Sequence, residues 1–446
     1  MKKVLILGAG LVVKPIVTYL LQHGFQVTVA SRTKSKADGL ILGHPNGVAI
    51  EWTTADEDKL DVMIMDNDLV VSLLPYTNHV NVARKCLKYK KDLVTTSYVK
   101  AEMQALNEEA ISAGIIILNE LGLDPGLDHM SAMRIIDSIH AKGGIVEEFY
   151  SFCGALPAPE AATNPFRYKF SWSPKGVIMA CNNDASYLRY GKVIDVPTEK
   201  IFKKPIKVNF DAIGELDVYP NRDSIAYIDI YGIPETKTLF RGTFRYPGWC
   251  ETMDIMKQLG LIRYEKYNLE GMTYSDLMAL LINSTKTDHI KEQVASCLGI
   301  NIDALPINAL GWLGLFSDQK MNRLIDSPFE VTSDLMIEKM GLGDEERDMV
   351  VMQHIFLASY PDATKEVIRS RMLDYGTPAT DTSVARTVAL PAAIGAEMIL
   401  NGQIVVKGVF RPTIPEIYLP ILHKLEELNI KMVEENGLPL SENIHS

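Results

Sequence analysis

Lys3-Val4-Leu5-Ile6-Leu7-Gly8-Ala9-Gly10-Leu11-Val12-Val13 sets an apolar strand directly before a glycine-rich turn that opens a helix, and this order decides the fold. Gly8 permits a tight turn. Gly10 lets the backbone come close to a pyrophosphate, and the helix start adds free N–H groups and the positive end of its dipole. Ala9, Leu11 and Val12 complete the loop, and Val13 stands where the dinucleotide fingerprint has its third glycine. Pro15 falls in the first helical turn, where a missing N–H costs little.

Outward from this turn, residues 4–7, 25–30, 48–52, 69–74, 93–96 and 115–119 read as six strands, mostly continuous runs of Val, Ile and Leu. Strands buried on both faces have this texture. Residues 12–23, 80–89 and 101–113 read as helices between them. The alternation predicts right-handed βαβ units and a Rossmann-type doubly wound parallel sheet, an α/β fold.

The texture changes near residue 144. Residues 145–153, 167–172, 225–231 and 239–244 read as strands separated by polar stretches rich in Pro, Asn and Gly. Residues 348–360 and 366–375 flank Pro361-Asp362 and read as a hairpin. A second α/β domain with a mixed or antiparallel sheet is expected, and residues 253–342 read as a small helical domain. Residues 383–400 and 417–428 read as helices that return to an earlier domain.

At 446 residues, more than one hydrophobic core is expected. The formal net charge of -11 disfavours nucleic acid or an anionic membrane as partner. Residues 4–13 lack a cleavage signal and are cut short by Lys14-Pro15, so they read as a strand and loop, not a signal peptide. No other run approaches the ~20 apolar residues of a spanning helix. Five scattered cysteines without a Cys-x-x-Cys pair indicate neither disulfides nor a metal site, and a cytoplasmic protein is expected.

Ala30-Ser31-Arg32-Thr33 closes the second strand without the acid that would bind a ribose 2′-hydroxyl. Arg32 with its flanking hydroxyls Ser31 and Thr33 suits a 2′-phosphate, so NADP is expected over NAD. The alternative is a solvated loop arginine. Thr95-Thr96-Ser97-Tyr98 ends the fifth strand, and Leu121 to His129 follows the sixth, both at the sheet edge where ligands bind. Asp124 there is a cation ligand, a proton acceptor or a turn residue. Asp128 reads as a helix N-cap. Arg222, Arg241 and Arg245 beside Gly and Pro either hold carboxylates or pair on the surface with Asp223 or Glu251.

Together with Gly8 to Val13 and Ser31 to Thr33, the blocks Ser72-Leu73-Leu74-Pro75-Tyr76, Thr96-Ser97-Tyr98, Gly122-Leu123-Asp124-Pro125-Gly126 and Cys153-Gly154-Ala155-Leu156-Pro157-Ala158-Pro159-Glu160 are distinctive. So are Tyr168-Lys169-Phe170-Ser171-Trp172-Ser173, Tyr219 to Ser224 and Arg241 to Tyr246. Across nearly the whole chain they resemble saccharopine dehydrogenase of the L-glutamate-forming (saccharopine reductase) branch. The resemblance implies interconversion of saccharopine with glutamate and 2-aminoadipate 6-semialdehyde, by hydride transfer between a nicotinamide and the secondary-amine carbon, in lysine metabolism. It implies cofactor contacts from Gly8, Ala9, Gly10, Leu11, Val12, Ser31, Arg32, Thr33, Leu74, Thr96, Ser97, Leu123, Asp124, Pro125 and Ser173. Substrate contacts are implied for Ser97, Tyr98, Asp124, Arg222, Thr243, Phe244 and Arg245, with Asp124 and Tyr98 as candidates for proton transfer and no metal.

The resemblance also implies a homodimer and three domains. These are residues 1–123 with about 390–446, about 124–252 with 345–389, and about 253–344. Two rival readings are a related reductase that joins another amine to an aldehyde, of the carboxynorspermidine type, and a non-catalytic NADP-binding regulatory protein.

Overall fold

The computed structural model describes residues 1–444, which divide into two compact units. The first comprises Met1–Val146, Asp229–Ile233 and Met352–Asn443, and the second Glu147–Ile228 and Pro234–Val351.

The first unit opens with β1 (Lys3–Leu7), α1 (Lys14–Gln22), β2 (Gln26–Ser31), α2 (Lys34–Ile41), β3 (Gly47–Glu51), α3 (Glu57–Met65) and β4 (Leu69–Ser72). It continues with α4 (His79–Tyr89), β5 (Asp92–Thr95), α5 (Ala101–Gln104), α6 (Asn107–Ala113), β6 (Ile116–Leu118) and α7 (Leu127–Ala141). All six expected strands are present. The helix expected over residues 101–113 divides into α5 and α6. Two helices beyond the sequence reading, α2 and α3, complete the crossovers, α3 being capped by Asp56, whose carboxylate accepts the Lys59 N–H.

The second unit contains β7 (Ile145–Pro157, its first two residues in the first unit), α8 (Pro174–Ala180), β8 (Ala185–Arg189), β9 (Lys192–Val196), β10 (Ile206–Phe210), β11 (Gly214–Pro220), α9 (Tyr227–Tyr231, shared with the first unit) and β12 (Thr238–Arg245). In its sheet β12 pairs parallel with β7 and antiparallel with β11 and β8, which makes the sheet mixed as expected. Phe152 and Phe244 anchor its aromatic core with ring centroids 5.5 Å apart. The helical part follows: α10 (Trp249–Gln258), β13 (Tyr267–Asn268), α11 (Tyr274–Leu281), α12 (Ile290–Leu298), α13 (Leu305–Leu313), β14 (Ile325–Asp326) and α14 (Pro328–Lys339).

Two strand expectations are corrected in this region. Residues 225–231, rich in β-formers, give only the short helix α9, because the Asp223 carboxylate accepts the Ile225 N–H and Ser224 O accepts the Tyr227 N–H, starting a helical turn. Residues 167–172 form no strand. Arg167 lies in the left-handed region at φ 47°, the Asn164 side chain ties up both backbone groups of Tyr168, and a single bridge joins Phe170 to Gly341.

The chain then runs through β15 (Asp348–Ser359) back into the first unit, followed by β16 (Lys365–Tyr375), α15 (Ser383–Leu400), β17 (Gly408–Phe410), α16 (Pro415–Glu427) and β18 (Val433–Leu438). The expected hairpin is β15–β16, closed by Tyr360 N–H donating to Thr364 O at 3.0 Å. Helices α15 and α16 stand where two helices were expected. β17 adds to the parallel sheet, whose order among the described residues is β17-β6-β5-β4-β1-β2-β3. The strand order reverses between β1 and β4, which places the ligand crevice at their carboxyl ends.

Successive residues of β1 and β4 are buried, so both faces of the sheet are covered. Leu5 and Leu7 join Leu60, Met63, Val82 and Ala83 on one face. On the other, α1 packs on α15, which lies against β4 and β5. α15 is long and apolar enough to cross a membrane, but 83% of it is buried, as befits a core helix. Each fully buried Leu or Ile here contributes about 1.5–3 kcal/mol.

Candidate active site

The turn after β1 separates a glycine that the fold demands from one it does not. Gly8 sits at φ +117°, donates to Ala30 O at 2.9 Å, and an added Cβ would lie 3.1 Å from Leu73 O. A Cβ on Gly10 would meet nothing within 4 Å among the described residues. Packing gives no reason for glycine there, whereas close approach of a ligand does. Ala9 and Val12 are half-buried and Leu11 is exposed, while Val13, at the third fingerprint position, is buried and fills the space between helix and sheet. No acid occupies the first turn of α1, so its positive end is not offset.

At the end of β2, Ser31 Oγ accepts the Thr33 N–H at 3.4 Å, and Thr33 stands at the N-cap of α2. Arg32 is exposed and has no hydrogen-bond or ion-pair partner among the described residues. The first turn of α2 carries Lys34 and Lys36, cations where the helix dipole disfavours them. Lys34 is paired with Asp38 at 3.0 Å, and Lys36 is exposed. A phosphate beside Arg32 would relieve this excess of positive charge. The residues therefore fit NADP.

At the ends of β4 and β5, Leu74 is half-buried against the core and Thr96 is half-buried beside Gly122. Ser97 belongs to a relay that the sequence reading missed. Ser72 Oγ lies 2.9 Å from His79 Nδ1, and His79 Nε2 lies 2.8 Å from Ser97 Oγ. His79 is 3% exposed, and burial pushes its imidazole down to about 4, so it is neutral at physiological pH. A lone histidine on an amphipathic helix gave no sequence signal for this bridge. Tyr76, His79, Tyr98, Lys100, Glu102 and Asn119 line a cleft of about 320 Å³, with the Lys100 ammonium 3.9 Å from the Tyr76 ring centre.

The loop after β6 is built on glycines. Gly126 sits at φ +145°, and an added Cβ would fall 2.2 Å from Gly122 N and O. Gly122 N–H donates to Pro125 O and Leu127 N–H to Gly122 O, and the Asp124–Pro125 peptide is cis. Leu123 is buried and Asp124 half-buried. The Tyr98 hydroxyl donates to Asp124 Oδ1 at 2.8 Å, joining the two proton-transfer candidates. Asp128 lies inside the first turn of α7 and not at the N-cap, which is Gly126. Its carboxylate accepts the Gly126 N–H at 2.6 Å, so it serves the turn.

Behind this loop lies a carboxylate that the sequence reading also missed. Glu120 is 2% exposed and left-handed at φ 55°. Its Oε1 accepts Val99 N–H and Arg411 Nε, each at 2.8 Å, and its Oε2 lies 2.8 Å from His129 Nε2. Burial alone would raise its pKa, but the His129 hydrogen bond, the His129 and Arg411 charges and the Val99 N–H outweigh it and hold the group below the usual carboxylate range. An acid at the end of an otherwise buried apolar run was the available signal, since a buried charge needs partners.

The remaining expected residues lie in the second unit. The Ser173 hydroxyl caps α8, accepting the Gly176 N–H at 3.3 Å. Arg222 is exposed and left-handed at φ 55°. Thr243 is half-buried, and the Phe244 ring belongs to the aromatic core, so Phe244 has only its backbone to offer a ligand. Arg245 is 4% exposed, donates to Phe244 O at 2.7 Å, and lies 4.8 Å from the Tyr168 and 5.4 Å from the Trp249 ring centres. Arg241 is equally buried and lies 4.0 Å from the Tyr227 ring centre. Neither is the surface arginine of the alternative reading, and Asp223 accepts from the Ser186 hydroxyl at 2.9 Å and the Ile225 N–H at 2.7 Å.

Residues 4–118 match the saccharopine dehydrogenase NADP binding domain, and residues 122–430 the saccharopine dehydrogenase C-terminal domain. The chain is 37% identical to saccharopine dehydrogenase [NADP(+), L-glutamate-forming] of Saccharomyces cerevisiae, over 96% of this chain and 97% of that one. It is 37% identical to the mitochondrial alpha-aminoadipic semialdehyde synthase of Bos taurus over 98% of this chain, and spans 48% of that longer relative. The apo structure of the L-Glu-forming saccharopine dehydrogenase from Saccharomyces cerevisiae superimposes with a TM-score of 0.90 at 36% identity, covering 98% of this chain and all of that one. With an NADP-binding sheet, a mixed second sheet and matches along nearly its whole length, the chain belongs to the saccharopine dehydrogenase family.

Proposed function

We propose that this chain interconverts saccharopine, NADP+ and water with L-glutamate, 2-aminoadipate 6-semialdehyde and NADPH. The observation that carries the reading is the Tyr98–Asp124 hydrogen bond at the carboxyl edge of an NADP-binding sheet, in a chain that aligns end to end with a relative named for this reaction. NADP, when bound, accepts or returns a hydride at the carbon beside the secondary amine.

The chain's own residues bind, orient and move protons. Gly8 to Val12 and the start of α1 receive the pyrophosphate, and Arg32 with Ser31 and Thr33 receives the 2′-phosphate. Thr96, Ser97, Leu74, Leu123, Pro125 and Ser173 complete the cofactor contacts. Asp124, as acceptor of the Tyr98 hydroxyl, takes a proton from the substrate amine or from water, and Tyr98 passes a proton back. Ser97, its oxygen fixed by His79, presents a hydroxyl to the ligand. Saccharopine carries three carboxylates, and Arg222 with Thr243 and the backbone at Phe244 and Arg245 anchors them.

The reading extends to a homodimer in the cytoplasm. Cys86, Cys181, Cys250 and Cys297 are free thiols, which supports a reducing compartment, and sedimentation of the purified protein tests the dimer. The activity is tested in the reductive direction by following NADPH consumption with glutamate and the semialdehyde. Consumption that needs both supports the reading, and consumption with the aldehyde alone, independent of glutamate, overturns it.

A further inference from the structure

We propose that Glu120, tethered by Arg411 from the returning C-terminal segment, is a positioning residue that sets the Ser97–Tyr98–Val99 segment against the Asp124 loop. The inference rests on the proposed reaction and concerns a residue that does not touch the ligand.

Three stretches without regular structure meet at Glu120. Its backbone N–H donates to Ser97 O at 3.2 Å, and its carboxylate accepts Val99 N–H, so it grips both sides of Tyr98. The next residue, Leu121, donates to Thr95 O at 3.0 Å, extending the zipper between the ends of β5 and β6. The left-handed backbone of Glu120 lets the N–H and the side chain reach the same loop, a conformation that a non-glycine residue keeps only when its surroundings impose it. On the other side, His129 lies between Glu120 and the Tyr231 hydroxyl, 2.8 Å from each, with Asp128 Oδ2 at 3.5 Å. His129 is one residue beyond the Asp128 that closes the Asp124 loop.

Arg411 follows β17 directly, and its Nε supplies a charged donor to Glu120 Oε1. The sheet edge added by the C-terminal segment thus reaches the site through this ion pair and through Phe410 O, which accepts the Asn119 N–H at 2.9 Å. A carboxylate fits the position because its two oxygens accept from Val99, Arg411 and His129 together. An amide would lose one acceptor.

The test uses the full-length protein and the variants Arg411→Met, Arg411→Lys and Glu120→Gln. NADPH affinity is read by binding, and kcat and KM for saccharopine by turnover. Arg411→Met leaves the Val99 and His129 bonds of Glu120 in place and so retains the fold. It is expected to lower kcat by ~10-fold while NADPH affinity stays within ~3-fold, with Arg411→Lys recovering at least about a third of kcat. Glu120→Gln should lower kcat further, with the same split. A wild-type kcat in Arg411→Met, or a parallel loss of NADPH affinity and kcat, overturns the inference. A wild-type chain that binds NADPH but does not turn over saccharopine is the separate failure of the proposed reaction.

Discussion

The Tyr98 hydroxyl donates to Asp124 Oδ1 at 2.8 Å, bringing together residues from the ends of two different strands. Both are half-buried, open enough to meet a ligand and enclosed enough to be oriented. If this pair moves protons, Tyr98→Phe and Asp124→Asn should each lower kcat by ~10²–10⁴-fold, the usual worth of general acid–base catalysis. Steady-state rates beside melting curves decide the matter. A variant with intact folding and wild-type kcat/KM would remove that residue from the chemistry.

Gly10 and Gly126 should respond in opposite ways to the same added methyl group. Gly10→Ala meets open space, so stability should change by less than about 0.5 kcal/mol while NADPH binding weakens ~10-fold. Gly126→Ala drives a Cβ into the Gly122 backbone at a left-handed position and should cost more than about 2 kcal/mol. Denaturant unfolding and cofactor titration of both variants separate the ligand's demand from the fold's. Equal stability losses would show that Gly10 is also structural.

Arg32→Ala should weaken NADPH binding by ~10–100-fold, the value of a lost charge-assisted hydrogen bond, and leave NADH affinity within ~3-fold. A parallel loss of both affinities would mean that Arg32 stacks on the adenine and does not read the phosphate.

How far the sequence reached can be judged from residues such as these. The six parallel strands were legible because burial on both faces leaves continuous runs of Val, Ile and Leu, and the Gly8 turn because its glycines carry the geometry in their type. Residues 225–231 were misread because Ile and Tyr favour strands in general, whereas the side chain of Asp223 starts a helix there. The Tyr98, Asp124 and Arg32 positions were legible as polar residues at strand ends. Glu120, His79 and Arg411 were not, because their roles come from partners 9, 18 and 291 residues away. No local pattern records such pairings.

His79 gives the protein a pH dependence whose sign follows from its burial. The imidazole is pushed from 6.5 down to about 4, so between those values the unfolded chain binds a proton that the folded chain excludes. Stability from this group is complete above pH ~6.5 and falls as the pH drops toward 4, by about 3 kcal/mol in all. In His79→Gln the slope of unfolding free energy against pH across this window should be shallower. An unchanged slope would mean that His79 titrates normally in the folded protein.

The most direct test of the account is nicotinamide absorbance on mixing the purified protein with saccharopine and either NADP or NAD. The account predicts reduction with both glutamate and semialdehyde formed, and a preference for NADP that Arg32→Ala abolishes. No reduction with either nucleotide, from protein shown to bind NADP, would contradict it and point to another amine substrate or to a regulatory role.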